Sequence, residues 1–358
     1  MSEPISIYDS AAVDRLRCEL KFEPRRLRGL RTAYFKKFLG AEAALAELPA
    51  GVRDAFRSRV EFHPLEIDQA CDSQLDGATK LVLRTPAGYL IESVIIRTGT
   101  GRVSLCVSSQ VGCAAACGFC ATGQMGVAKS LSAAEIFDQI VLAGEHLQPE
   151  GRRIRNIVFM GMGEPFHNEE SLYEAVAALL APESFHHAPG RILISTVGIP
   201  DAMVRCARRF PEVNLALSLH SVRPEVRQQL IPLAAKFPLD QLRSAVERVN
   251  SIQQNSIMIE YLMLAGINDS ADDARELAAW LAGLKAHVNL IPYNPIESAP
   301  QLRTTERRER DAFAEILRAA GFVTTIRYSL GADIAAACGQ LVQGENRHIA
   351  QRQAMSSI

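Results

Sequence analysis

No part of this 358-residue chain approaches the ~18 consecutive apolar residues that a membrane-crossing helix needs, so a bilayer-spanning role is not expected. The opening MSEPISIYDS has neither the basic nor the apolar segment of a secretory leader, which makes the cytoplasm the expected compartment. An excess of one charge is also missing. At a net charge of −1, the composition alone predicts no polyanionic partner. No low-complexity linker or internal repeat breaks the chain, which argues against a solenoid or a tethered array. What remains is ordinary globular protein, 48% hydrophobic and 22% charged, long enough for one to three domains of ~100–200 residues.

The cysteines are unevenly distributed. Four of the eight, Cys106, Cys113, Cys117 and Cys120, fall within fifteen residues, a crowding that suits metal or redox chemistry better than a disulfide framework. Cys113, Cys117 and Cys120 follow the spacing C-x3-C-x2-C on one short loop. No second pair stands nearby to complete the four tetrahedral ligands of a structural zinc site. An iron–sulfur cluster fits better: four thiolates would saturate it, whereas three leave one iron open to a small molecule.

Charge is local where it is not global. Between Arg15 and Lys37 nine Lys or Arg face only Glu19 and Glu23, with Tyr34, Phe35 and Phe38 interleaved. Such a stretch is either a phosphate-binding face or a solvated basic helix over an aromatic core stripe. Helical spacing of apolar residues over 11–20, 25–39, 41–48 and 50–59 predicts a small helical domain. LVLRT and YLIESVII, joined by a turn at Pro86 to Gly88, predict a β-hairpin. From SLCVSS onward strands alternate with helices through IRNIVFM, RILIST, NLALSLH, IMIEYLML and VNLIPY. Apolar strands without period-two alternation read as buried and parallel, so the expected class is α/β with right-handed βαβ crossovers.

Ligands of parallel α/β folds bind at the carboxyl ends of strands, and polar clusters stand there. Gly161-Met162-Gly163-Glu164-Pro165 follows the second strand, Ser195-Thr196 the third, Ser218-Leu219-His220 the fourth and Asn294 the sixth. Singly, each reads as well as a turn, a helix cap or a core histidine. Near the end, FVTTIRYSLGADIAAACGQL carries Cys338 among small residues, a setting that admits a ligand but equally suits a buried hydrophobe.

The strings CVSSQVGC, CGFCATG and ADIAAACGQL resemble the RlmN/Cfr family of radical S-adenosylmethionine (SAM) RNA adenosine methyltransferases. LPAGVRDAF, DGATKLVLRTPAGYLIESVII and GRVSLCVSSQ are similar to it in the same order. The resemblance implies a partial (β/α)6 barrel with an N-terminal helical accessory domain that binds RNA (1–75), a β-hairpin linker (76–103), a core ending in a catalytic-cysteine segment (104–345) and a tail (346–358). It implies one [4Fe-4S] cluster on Cys113, Cys117 and Cys120, with SAM on the open iron. Gly163, Glu164, Ser195, Ser218, Leu219, His220 and Asn294 would hold SAM. Cys338 would take a methyl group from one SAM, and a radical from a second SAM would activate that methyl for addition to adenine. Cys106 would then release the product through a transient disulfide with Cys338, an ordinary thiol exchange. Glu92 would accept the proton lost from the base. The implied product is 2-methyladenosine in 23S rRNA, with tRNA a further substrate, C8 methylation the alternative, and flavodoxin or ferredoxin the electron donor. From the residues alone, a non-catalytic metal-binding RNA protein remains open. Cys18, Cys71 and Cys206 match no motif and read as structural.

Overall fold

The computed structural model describes residues 4–356, so the first three residues of the expected accessory domain and the last two of the tail lie outside the described residues. A short strand β1 (Ile5–Ser6) opens a helical unit of α1 (Ser10–Glu19), α2 (Pro24–Arg31), α3 (Gly40–Leu45) and α4 (Ala50–Arg57), closed by β2 (Val60–Glu61) in parallel with β1. Asp9 caps α1 by accepting the Ala12 N–H at 2.9 Å, and Pro24 begins α2, where its missing N–H costs nothing. The helix expected over 25–39 stops at Arg31 and passes into a π turn over Thr32–Lys36. This turn puts the adjacent Tyr34 and Phe35 into one core with Val13, Leu16, Leu27, Leu30 and Phe56. Tyr34 and Phe35 are therefore core residues with Phe38 half-buried against that core, and Arg15, Lys21, Arg26, Arg28 and Lys37 remain on the outside.

Among the described residues ten strands form one sheet. Its antiparallel edge is β3 (Glu66–Asp72), β4 (Ala78–Arg84) and β5 (Leu90–Arg97), β4 and β5 being the expected hairpin. Antiparallel to β5 runs β6 (Val103–Cys106), which begins a parallel run: β7 (Ile154–Phe159), β8 (Ile192–Thr196), β9 (Asn214–Ser218), β10 (Ile257–Met263), β11 (Ala286–Pro292) and β12 (Val323–Ile326). The sequence reading found six of these seven parallel strands. It missed β12, whose four residues VTTI carry little apolar signal, and β3, whose EIDQACD is an exposed, polar edge beyond the helical stretches, within the range expected for the accessory domain.

Helices α5 (Ala133–Leu147), α6 (Glu169–Leu180), α7 (Pro200–Arg209), α8 (Pro224–Leu230), α9 (Leu239–Ile252), α10 (Ala271–Leu281) and α11 (Arg307–Ala319) follow the parallel strands, and α12 (Glu345–Ser356) is the last element among the described residues. Capping boxes Ser132/Glu135 and Ser270/Asp273 fix where α5 and α10 start. The sheet curls around a cavity of about 1020 Å³ lined from both flanks, by Val94 of β5 and Val323 of β12 among others, but β12 and β3 remain unpaired edges. This is an incomplete barrel.

A buried carboxylate joins the helical unit to it. Asp138 of α5, fully buried, accepts Tyr8 Oη at 2.8 Å and the Leu65 N–H at 2.9 Å, and pairs with His63 at 2.7 Å. Burial alone would lower the His63 pKa, but bonds to Asp138 and Glu145 raise it to about 10, so the imidazole is cationic at neutral pH. Among the described residues no helix is long and apolar enough to cross a membrane.

Candidate active site

The loop after β6 is shaped by close backbone contacts. Gln110 bridges to Ser130, and the Val111 N–H donates to Lys129 at 2.8 Å, closing the loop at its base. A Cβ on Gly112 would sit 1.8 Å from the Val127 carbonyl oxygen, and one on Gly123 would sit 2.8 Å from the Cys117 nitrogen, so both must be glycine. The Gly118 N–H donates to Leu230 at the end of α8, 3.0 Å away. Within this frame Cys113, Cys117 and Cys120 all face one cavity of about 150 Å³. Burial pushes the Cys113 thiol up to about 12 and raises Cys117 and Cys120 as well. Such thiols ionise only when a cation compensates them. Among the described residues no three His, Cys, Asp or Glu are gathered tightly enough to hold a single metal ion. Three soft donors lining a shared void fit a cluster.

The opposite wall of this cavity comes from the carboxyl ends of the strands. Gly163, at φ +105°, needs its missing side chain for protein packing first: a Cβ there would lie 2.6 Å from Gln110 Cβ. The buried Glu164 carboxylate accepts the Phe166 N–H at 3.1 Å and the Val197 N–H at 2.8 Å; burial raises its pKa. Ser195 donates to Glu260 at 2.7 Å and Ser218 to the same oxygen at 3.2 Å. His220, at φ +61°, accepts the Leu262 N–H on Nδ1 at 3.0 Å, which leaves the ring proton on Nε2. Burial and the charge of Arg227 depress its pKa to about 3, so it is neutral at any physiological pH. It is a satisfied core histidine that also lines the cavity.

The tail is stitched over the cysteine loop. The Ala121 N–H donates to Gly339 O at 2.7 Å, Thr122 Oγ1 to Leu341 O at 2.5 Å and Asn294 Nδ2 to Cys338 O at 3.0 Å. Glu92 of β5, fully buried, accepts the Val342 N–H and Gln343 Nε2, each at 2.8 Å, and pairs with Lys80 at 3.1 Å. Burial raises its pKa against that cation. These contacts hold Cys338 on the wall between the two voids: it lines the small cavity with the three loop cysteines and the large one with Cys106. Burial, then the neighbouring Cys338, push Cys106 up to about 12, while Arg327 pulls the other way. All eight cysteines are free thiols.

The structure thus brings Cys113, Cys117, Cys120, Gly163, Glu164, Ser195, Ser218, His220 and Cys338 around one void, and Cys106 and Cys338 around the next. Leu219, Asn294 and Glu92 line neither; Asn294 and Glu92 hold the tail, and the Leu219 carbonyl accepts from Arg227. Two residues escaped the sequence reading. Glu260 was visible as the lone charge in the apolar strand IMIEYLML, whereas Arg227 gave no signal on its helix. Of the three unmatched cysteines only Cys206 is in the core; Cys18 is exposed and Cys71 half-buried.

An incomplete α/β barrel with a three-cysteine loop after its first parallel strand defines the class, the radical SAM enzymes, and a profile of the Radical SAM superfamily matches residues 107–281. A radical SAM methyltransferase from Sphaerobacter thermophilus superposes with a TM-score of 0.88 at 37% identity, covering 94% of this chain and 99% of that one. A Rhodopirellula baltica protein named as a probable RNA methyltransferase is 50% identical over 97% of this chain and 90% of its own length. The dual-specificity RNA methyltransferase RlmN of Lawsonia intracellularis is 39% identical over 83% of this chain and 84% of its own. A Thermus thermophilus protein named as a probable RlmN is 39% identical over 92% and 94%. The chain belongs to the RlmN/Cfr family of radical SAM RNA methyltransferases. It is an enzyme that methylates RNA, which sets aside the non-catalytic reading, and the family implies a [4Fe-4S] cluster and SAM.

Proposed function

We propose that this enzyme methylates C2 of an adenosine in 23S rRNA, with a tRNA adenosine as a second substrate, using two SAM molecules and a methylated cysteine. The observation that carries this reading is the position of Cys338, shared between a void walled by three cysteines and a void that also holds Cys106. When bound at Cys113, Cys117 and Cys120, the cluster and SAM supply a transferable methyl group and, after one-electron reduction by a flavodoxin or ferredoxin, a hydrogen-abstracting radical.

The protein's residues do the rest. Gly163, Glu164, Ser195, Ser218 and His220 orient SAM, Glu164 offering a carboxylate to its ammonium group, while Leu219 and Asn294 act through the backbone and tail that they hold. Cys338 gives up its proton and its sulfur attacks the methyl carbon of one SAM: the new S–C bond forms as the sulfonium C–S bond breaks, and S-adenosylhomocysteine leaves. Once that methyl has given a hydrogen atom to the radical, its carbon joins the base from the side of the large cavity; Glu92 takes the proton lost from the base once its bonds to Val342 and Gln343 open, and the surplus electron would return to the cluster. Cys106, as thiolate, attacks the Cys338 sulfur: the S–S bond forms, the C–S bond breaks, and its electron pair leaves with the carbon, which a proton completes to a methyl group. C2 is proposed over C8 on the resemblance to the RlmN branch, C8 being the position that the Cfr subgroup implies. Mass spectrometry of rRNA and tRNA nucleosides from cells with and without the gene tests this. Gene-dependent 2-methyladenosine is expected, and 8-methyladenosine in its place would overturn the regiochemistry.

A further inference from the structure

Arg227 of α8 is only 1% exposed and has no place in the proposed chemistry. Its guanidinium donates to three backbone carbonyls: Val197 at 2.5 Å, Ser218 at 3.1 Å and Leu219. All three lie at or just beyond the carboxyl ends of β8 and β9, the strands that carry Ser195 and Ser218 to the small cavity. Helix α8 also packs against the cysteine loop. Val226 and Leu230 share a buried cluster with Cys117, and the Gly118 N–H donates to Leu230. One guanidinium therefore ties together two strand ends directly behind that loop.

Its charge is unbalanced. Among the described residues the hydrogen bonds of Arg227 go to carbonyls and to no carboxylate, and its Nε is buried with no hydrogen-bond partner. Carbonyl dipoles solvate such a cation in part, but a charge buried without a counterion is costly, and proteins retain one where an anion compensates it. The residue beside its helix that can become an anion is Cys117, buried in one cluster with Val226 and Leu230, the residues on either side of Arg227 on α8. Cys117 is neutral as a thiol and anionic as a ligand.

We propose that Arg227 is a positioning residue with two effects: its fork of hydrogen bonds fixes the SAM-facing ends of β8 and β9, and its charge offsets the negative charge of the thiolate-bound cluster, favouring reduction. This rests on the proposed ligand role of Cys113, Cys117 and Cys120. The test compares wild type, Arg227→Met, Arg227→Lys and Leu230→Ala, each reconstituted with iron and sulfide and titrated with dithionite as electron donor while the reduced cluster is followed by electron paramagnetic resonance. Equilibrium dialysis measures SAM binding on the same samples. Arg227→Met should make reduction about tenfold less favourable, about 59 mV for a one-electron couple. Arg227→Lys keeps the charge but cannot fork to three carbonyls, so its potential should match wild type while SAM binds about tenfold more weakly, the effect of one lost charge-assisted bond. Leu230→Ala loosens the same helix and should leave the potential unchanged. Arg227→Met with full iron and a wild-type potential would overturn the proposal. So would Arg227→Lys with a shifted potential, which decides the matter if the methionine variant does not fold. A wild-type protein that assembles no cluster would instead overturn the ligand assignment beneath it.

Discussion

At the scale of the residue, Cys106 and Cys338 are set apart from the other thiols by the voids that they line, and the two roles proposed for them separate in a mutant pair. Cys106→Ala leaves the three loop cysteines and Cys338 in place, so cluster assembly and Cys338 methylation should survive. Nothing remains to attack the Cys338 sulfur, and a protein–RNA crosslink should accumulate. Cys338→Ala removes the proposed methyl acceptor and should give neither methylated protein nor crosslink, again with the cluster intact. Denaturing electrophoresis of enzyme purified with its cellular RNA, before and after nuclease, shows the adduct as a retarded band. A Cys106→Ala protein methylated on Cys338 yet free of adduct would leave the two-cysteine route without support. Neither void was legible in the sequence: the end string pointed to Cys338, but its neighbours Ala336 and Ala337 read as well as core. Glu92 shows the opposite case. Its strand position was readable, but its bonds to Val342 and Gln343 join residues about 250 positions apart, which no local pattern encodes.

At the scale of the element, α1 and α2 resolve an ambiguity of the sequence by dividing it. Tyr34 and Phe35 belong to the core, while most of the basic side chains around them stay exposed. The helical unit is also fixed to the barrel through Asp138, so a basic surface on it has a set position relative to the active site. Changing Arg25, Arg26 and Arg28 to Glu should therefore weaken RNA binding and flatten its salt dependence, because each lost phosphate contact removes about 0.7–0.9 from the slope of log K against log salt. SAM cleavage should persist, as these side chains are solvent-exposed and far in sequence from the cysteine loop. Filter binding across a salt titration measures this, and an unchanged slope would return the segment to a solvated surface.

At the scale of the whole molecule, the parallel run was legible because buried strands are apolar and evenly punctuated by helices, whereas the two sheet edges were not. Polar β3 and four-residue β12 owe their strand conformation to neighbours already in place. The tail was the least legible part, although the site depends on it. Its anchor is Asn346, fully buried, whose side chain accepts the Leu90 N–H and donates to the Leu90 carbonyl, each at 2.8 Å, mimicking one more strand pairing on β5. Asn346→Ala leaves both backbone groups of Leu90 without partners, at a cost of about 1–3 kcal/mol for each buried group that water does not reach. That loss falls on the tail, because the cysteine loop keeps its own closures at Val111 and Gly118. The variant should assemble a full cluster and cleave SAM, yet methylate Cys338 more slowly and lose its C-terminal segment faster to limited proteolysis. Iron content, intact-protein mass and cleavage rate measured on one preparation test this. Wild-type rates of Cys338 methylation and proteolysis would mean that the Gly339 and Leu341 contacts to the loop hold the tail without help from β5.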